Sequence, residues 1–193
     1  MTDRTRETLS AFEQTGAYLQ GHFRLTSGLH SPEYLQCAKV LQYPDYAERF
    51  AREIHEQFGD LKADVVCAPA MGGLIIGHEV ARAFGVRFIF TERDSEGKMT
   101  LRRGFAVTPG ERVVIVEDVI TTGGSTREVV ELLRGLGADV VAAASIMDRS
   151  GGAADVGVPR VALGTLQVQA YKPEECPLCA QGLPVVKPGS RPA

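Results

Sequence analysis

Residues 113–125 read VVIVEDVITTGGS: four β-branched apolar residues, an acidic pair, then a run of hydroxyl and glycine residues. The apolar run is too short for a helix, and its lack of alternation suits a strand buried on both faces. Glu117 and Asp118 then fall at the strand's C-terminal end, where open α/β sheets bind ligands.

Thr121, Thr122, Gly123, Gly124, Ser125 and Thr126 offer backbone N–H groups and hydroxyls to one small volume, and the glycines let the chain curl around an anion. Ser125 with Glu128 has the spacing of a capping box, and Val129, Leu132, Leu133 and Leu136 recur on one helical face before Gly137. The loop therefore delivers a helix N-terminus, whose dipole favours a phosphate monoester. Two carboxylates repel phosphate; their useful partners are vicinal hydroxyls or a hydrated Mg²⁺. Together these groups suit a ribose 5-phosphate. The competing reading is a tight turn with two carboxylates facing water.

This strand, acidic pair and TTGGS loop resemble the phosphoribosyl pyrophosphate (PRPP) signature of type I phosphoribosyltransferases. The resemblance implies an α/β fold with a central parallel sheet flanked by helices and a small N-terminal β-rich hood.

The chain has 193 residues and a formal charge of -3 with both signs scattered, so no global field favours nucleic acid or a membrane surface. MTDRTRETLS has no apolar leader, and no stretch approaches a transmembrane length, so a cytoplasmic protein is expected. Cys67 lies in an apolar run and reads as a core residue. Cys176-Pro177-Leu178-Cys179 is a CxxC, read as two structural thiols, half a zinc site or a redox pair. Zinc needs four ligands, and the chain has no second CxxC or HxxxH, which places zinc behind structural thiols and a disulfide last.

Along the chain, a helix is expected over 7–19, a small β-ribbon over 21–36, and a helix opened by Pro44 and Asp45 and closed by Gly59. Residues 65–68 read as a buried strand, PAMGG at 69–73 as a loop, 74–84 as a helix and 86–90 as a strand. Residues 91–104, TERDSEGKMTLRRG, are charged with few apolar anchors and read as a mobile loop. Residues 140–147 form the next strand, followed by Asp148 and Arg149. The alternation from 65 to 147 implies a parallel sheet. A single domain is expected, with helix and hood over about 1–44, the core over 45–170, and a C-terminal extension over 171–193 whose last residues form a tail.

PAMGG repeats the strand–loop–helix geometry at a second position, so Gly72 and Gly73 are candidates to hold a pyrophosphate. Arg93 and Lys98 in the charged loop are candidate catalytic cations, because expelling pyrophosphate from a cationic ribosyl carbon calls for charge neutralisation and exclusion of water. Arg149 reads either as one side of a surface salt bridge with Asp148 or Asp155 or as a planar guanidinium able to pair bidentately with a ligand carboxylate. His22, His30, His55 and His78 are scattered and read as structural or surface residues.

GHFRLTSGLHSPEYLQ, MDRSGG and the CPLC–LCAQGLPVVKPGSR terminus resemble the orotate phosphoribosyltransferases at ordered places across almost the whole chain. That resemblance implies transfer of the ribosyl 5-phosphate group from PRPP to orotate, in pyrimidine biosynthesis. PRPP would be bound by Glu117, Asp118, Val119, Ile120, Thr121, Thr122, Gly123, Gly124 and Ser125 with Gly72 and Gly73. Orotate would be bound by Thr121, Arg149, Tyr34, Leu35 and Thr26. Catalysis would involve Arg93, Lys98 and Asp118. Mg²⁺ would be carried mainly by PRPP, with no dedicated protein metal site, and the protein would be a homodimer whose charged loop reaches a neighbouring site. Many members have lysines where Thr26 and Gly72 stand, and a histidine in the charged loop, which this chain lacks. Transfer to a purine base and a non-catalytic PRPP-binding regulator are the competing functions.

Overall fold

The computed structural model describes residues 2–25 and 27–188, so Thr26 and most of the expected tail lie outside the described residues. Helix α1 (Asp3–Gln14) is capped by Thr2, whose hydroxyl accepts from Thr5 N at 3.2 Å. It begins and ends earlier than its sequence suggests. Gly16, at φ 62°, turns the chain, and Tyr18 and Leu19 enter a strand instead.

Strands β1 (Tyr18–Arg24) and β2 (His30–Leu35) form the antiparallel hood hairpin. A short α2 (Cys37–Leu41), absent from the sequence reading, leads to α3 (Pro44–Phe58). Proline suits a first helical turn, and Gly59 at φ 58° closes α3.

The core then alternates: β3 (Val65–Pro69), α4 (Gly73–Phe84), β4 (Arg87–Arg93), β5 (Met99–Leu101), β6 (Arg112–Ile120), α5 (Gly124–Gly135), β7 (Asp139–Asp148) and β8 (Arg160–Thr165). A short α6 (Pro177–Ala180) lies near the C-terminus. The sheet order is β5-β4-β3-β6-β7-β8, parallel throughout except for β5. Val66, Val114 and Val116 pack on one face with Phe12, Phe50, Ile54 and Ile76. Val65, Cys67, Val113 and Ile115 pack on the other with Val129 and Leu133. Successive residues of β3 and β6 thus fill opposite cores, which is why their sequences are apolar without alternating. Truncating Ile115 to alanine would cost about 2–5 kcal/mol.

Four expectations need correction. β6 runs on to Ile120, past the expected apolar run, so Glu117 and Asp118 lie within its C-terminal part and not at its last residues; the pairing of Val119 with Met147 and Ile120 with Asp148 on β7 prolongs it. The capping box does not form: the N-cap is Gly123 at φ 77°, Ser125 lies within the first turn, and Glu128 turns to Arg93. Leu136 is exposed, and the buried face of α5 is Thr126, Val129, Val130 and Leu133. Finally, residues 91–104 hold a hairpin rather than an open loop. Met99 is its anchor at 5 % exposure, and Thr91 and Arg93 pair with Leu101 and Met99.

Candidate active site

The ends of β3 and β6 lie side by side, and their loops meet over the acidic pair. Asp118 Oδ1 accepts from its neighbour's backbone, Val119 N, at 2.8 Å. The 69–73 loop presses on it so closely that a Cβ on Gly72 would stand 2.5 Å from Asp118 Oδ2. One on Gly73 would stand 2.9 Å from Ala68 Cβ and Val116 O. The two glycines are therefore what lets this loop close on β6. Burial pushes the Asp118 carboxyl above its ordinary value, against lowering hydrogen bonds from Glu117 and Val119 N. Beneath it lies Cys37, fully buried on α2, whose thiol is driven well up by desolvation and then by Asp118.

From Ile120 the chain turns through Thr121 and Thr122, both exposed, into Gly123. Gly123 is required twice over. Its φ is 77°, and a Cβ there would stand 2.9 Å from Val156 Cγ1. The N-cap Gly123 supplies no side-chain cap, and Gly124 N has only a long 3.5 Å bond to Thr122 Oγ1, an arrangement suited to receive phosphate oxygens. Arg93 flanks it, 3.5 Å from Ser125 Oγ.

Arg149 closes the opposite side. It is 9 % exposed, and its guanidinium donates to Ser31 Oγ at 3.3 Å and Glu33 O at 3.2 Å, both on β2. Among the described residues its buried Nε has no partner. The neighbouring Asp148 does not pair with it; Asp148 is taken by Ser150 at 2.6 Å and Arg160 at 2.9 Å. Burial would raise that carboxyl, but Ser150 and Arg160 outweigh it and hold it below its ordinary value. Arg149 is thus a cation held by neutral acceptors, with donor capacity to spare. Tyr34 on β2 packs its ring on Phe23 at 5.8 Å between centroids, and burial foremost, then the Asp118 charge, raises its phenol above the ordinary value.

Some expected site residues are placed otherwise. Leu35 is 6 % exposed in the main core, because alternation along β2 sends it to the face opposite Tyr34. The Ile120 side chain is likewise in the core, and its carbonyl accepts from Arg149 N at 2.8 Å, leaving no Ile120 side chain for a ligand. Arg93 is paired with Glu128 at 2.7 Å. Lys98 lines a groove of about 700 Å³ between the hairpin and α5 that does not include Glu117 or Asp118. Sequence reasoning missed Cys37 beside Asp118, and Ser31 and Glu33 as the partners of Arg149; no local pattern links residues 81, 118 and 116 positions apart.

A parallel sheet whose acidic strand leads into a glycine-turned helix N-terminus defines a phosphoribosyl transferase domain, and the sequence profile of that domain matches residues 39–162. The orotate phosphoribosyltransferase of Pelotomaculum thermopropionicum is 58% identical over 96% of this chain and 97% of its own length. That of Desulforamulus reducens is 54% identical over 96% of each. The crystal structure of orotate phosphoribosyltransferase from Aeropyrum pernix superposes with a TM-score of 0.69 at 28% identity, covering 82% of this chain and 93% of that one. The chain belongs to the orotate phosphoribosyltransferase family.

Proposed function

We propose that this protein transfers the ribosyl 5-phosphate group from PRPP to N1 of orotate, giving orotidine 5-phosphate and pyrophosphate, in pyrimidine biosynthesis. The observation that carries the choice of base is Arg149: a buried guanidinium, held by Ser31 Oγ and Glu33 O, with Nε unpartnered among the described residues. Such a group favours a carboxylated planar ligand over a neutral purine, because a carboxylate accepts two parallel N–H bonds. Tyr34 would lie against the ring.

Glu117 and Asp118 would accept from the ribose 2- and 3-hydroxyls. The backbone of Thr121, Thr122, Gly123, Gly124 and Ser125 would hold the 5-phosphate at the α5 N-terminus, with Thr121 next to the base as well. Gly72 and Gly73 would present backbone N–H groups to pyrophosphate. An all-oxygen donor set, the acidic pair facing a hydroxyl-rich substrate, fits a hard divalent cation. Mg²⁺ bound with PRPP supplies charge neutralisation for the leaving pyrophosphate. This chain's own share is to orient the two substrates and keep water from the ribosyl carbon, which needs no side-chain nucleophile. Arg93 and Lys98 stand on the β4–β5 hairpin beside α5; in a homodimer the hairpin would supply cations across the interface. Among the described residues no helix is long and apolar enough to cross a membrane, and the reading implies a cytoplasmic enzyme.

The test is direct: incubate the protein with PRPP, Mg²⁺ and orotate, hypoxanthine or adenine in turn, and follow base consumption. Orotate alone should be consumed. Turnover with a purine instead would assign another specificity, and no turnover with any base would favour a regulatory role.

A further inference from the structure

At the far side of the hood, four side chains from distant segments converge. His22 on β1 and His30 on β2 bring Nε2 and Nδ1 to 2.9 Å of each other. Cys176 and Cys179, at the two ends of the CPLC turn, bring Sγ atoms to 3.5 and 3.6 Å of His22 Nε2, and Cys179 Sγ is 3.3 Å from His30 Nδ1. All four atoms lie within 4.8 Å of one another. A tetrahedral zinc with bonds of about 2.0–2.1 Å to nitrogen and 2.3 Å to sulfur has ligand–ligand edges of about 3.3–3.8 Å. The three sulfur–nitrogen separations of 3.3, 3.5 and 3.6 Å match those edges, while the two nitrogens stand closer, at 2.9 Å, and would part by about 0.4 Å around an ion.

Hydrogen bonding alone accounts poorly for this convergence. His22 Nδ1 lies 2.8 Å from Leu183 O; a carbonyl only accepts, so Nδ1 carries a proton and, in the neutral ring, Nε2 presents a bare lone pair. If His30 Nδ1 is protonated, its N–H and two thiols compete for that single lone pair. If it is not, two imidazole lone pairs face each other at 2.9 Å with nothing between them. A divalent cation removes the conflict. The thiols release their protons, the two thiolates neutralise the ion, and four lone pairs meet one acceptor. Both cysteines are free thiols, and His22, His30 and Cys176 are buried at 4, 6 and 3 % exposure. The Leu183 carbonyl is the outer partner that fixes a ligating histidine's tautomer. Two sulfurs and two nitrogens in tetrahedral reach suit zinc or iron, and a single buried four-ligand position fits one zinc ion.

We propose that His22, His30, Cys176 and Cys179 bind one Zn²⁺ in a structural site that fastens the hood hairpin to the C-terminal segment. The backbone prepares the joint. His30 N donates to Tyr171 O and Tyr171 N to His30 O, each at 2.8 Å, while Val186 N donates to His22 O at 2.8 Å and Arg24 N to Val186 O at 2.9 Å. The residue after His30 is Ser31, which donates to Gln169 O at 3.1 Å and accepts from Arg149. The ion would therefore fix the strand that orients Arg149.

Elemental analysis of the full-length protein, purified without chelators or a metal-affinity tag, should find about one zinc per chain. Titrating Co²⁺ into metal-stripped, reduced protein should give tetrahedral d–d bands and a thiolate-to-cobalt charge-transfer band. Cys176→Ser and His22→Gln should each abolish the stoichiometric zinc. Substoichiometric zinc with no thiolate–cobalt band, a Cys176–Cys179 disulfide by intact mass, or iron in place of zinc would overturn the proposal. The wild-type measurements decide even where a variant fails to fold. They are also independent of the base transferred, so the failure of one reading leaves the other standing.

Discussion

The β6–α5 unit and the hood–C-terminal joint are two anchoring devices built on opposite plans. The first is contiguous: strand, acidic pair, glycine turn and helix N-terminus follow one another over residues 112–135, so local connectivity brings its parts together. The second joins residues 154 apart, His22 to Cys176, through side-chain contacts and backbone bonds such as Val186 N to His22 O. A contiguous device pays little closure entropy and survives small packing changes; a long-range one depends on each cross-link. The phosphate end of the site should therefore be robust, and the base end, held by the hood, sensitive to whatever loosens the joint.

The largest expected effect falls on the contiguous unit's chemistry. Asp118→Asn removes a charged acceptor for a hydroxyl, a loss of about 1.5–3 kcal/mol. That should lower kcat/KM for PRPP roughly 10- to 100-fold with an unchanged Tm; a wild-type kcat/KM would remove Asp118 from the ribose site. Next comes the close approach of the two loops. Gly73→Ala puts a methyl 2.9 Å from Val116 O and Ala68 Cβ. It should cost ~1–3 kcal/mol, a fall in Tm of ~2–10 °C by calorimetry, whereas an unmoved Tm would mean the 69–73 loop does not need its glycine. Smaller still is the link from the hairpin to α5. The Arg93–Glu128 pair is partly exposed, so Glu128→Gln should cost less than ~1 kcal/mol in urea unfolding; a larger loss would make the hairpin a fixed element rather than a cation carrier.

The smallest effect is one of pH. Asp64, at the start of β3, is lowered from 3.8 to about 2, chiefly by its hydrogen bonds from Arg112 on β6. A carboxyl depressed in the folded state stabilises above its ordinary value, and that contribution disappears as pH falls from 3.8 towards 2. Asp64→Asn should slightly flatten the acid limb of the stability curve in that window, measured by fluorescence-detected unfolding. A steeper limb would reverse the sign assigned to this pair.

The same contrast explains what could be read in the sequence. Val113 to Val116 and the TTGGS turn were legible because strand period, glycine turn and helix polarity are local rules. The capping box was misread because Ser125 and Glu128 satisfy a local pattern, while Gly123 took the cap position and Arg93, 35 residues away, took Glu128. Met99 inside a charged stretch hid a strand. The CxxC looked like half a site because its partners, His22 and His30, have no spacing rule linking them to it; the fold alone brings them within reach. Arg149 was picked out for its chemistry, yet what orients it, Ser31 and the Glu33 carbonyl, belongs to the hood.

The most direct test of the central claim, that Arg149 reads the carboxylate of orotate from a position set by the hood, is the steady-state kinetics of Arg149→Ala with each substrate varied in turn. KM for orotate should rise by roughly 10- to 100-fold, the worth of a charge-assisted bidentate pair, while KM for PRPP should change by less than about threefold. Equal losses for the two substrates would contradict the claim.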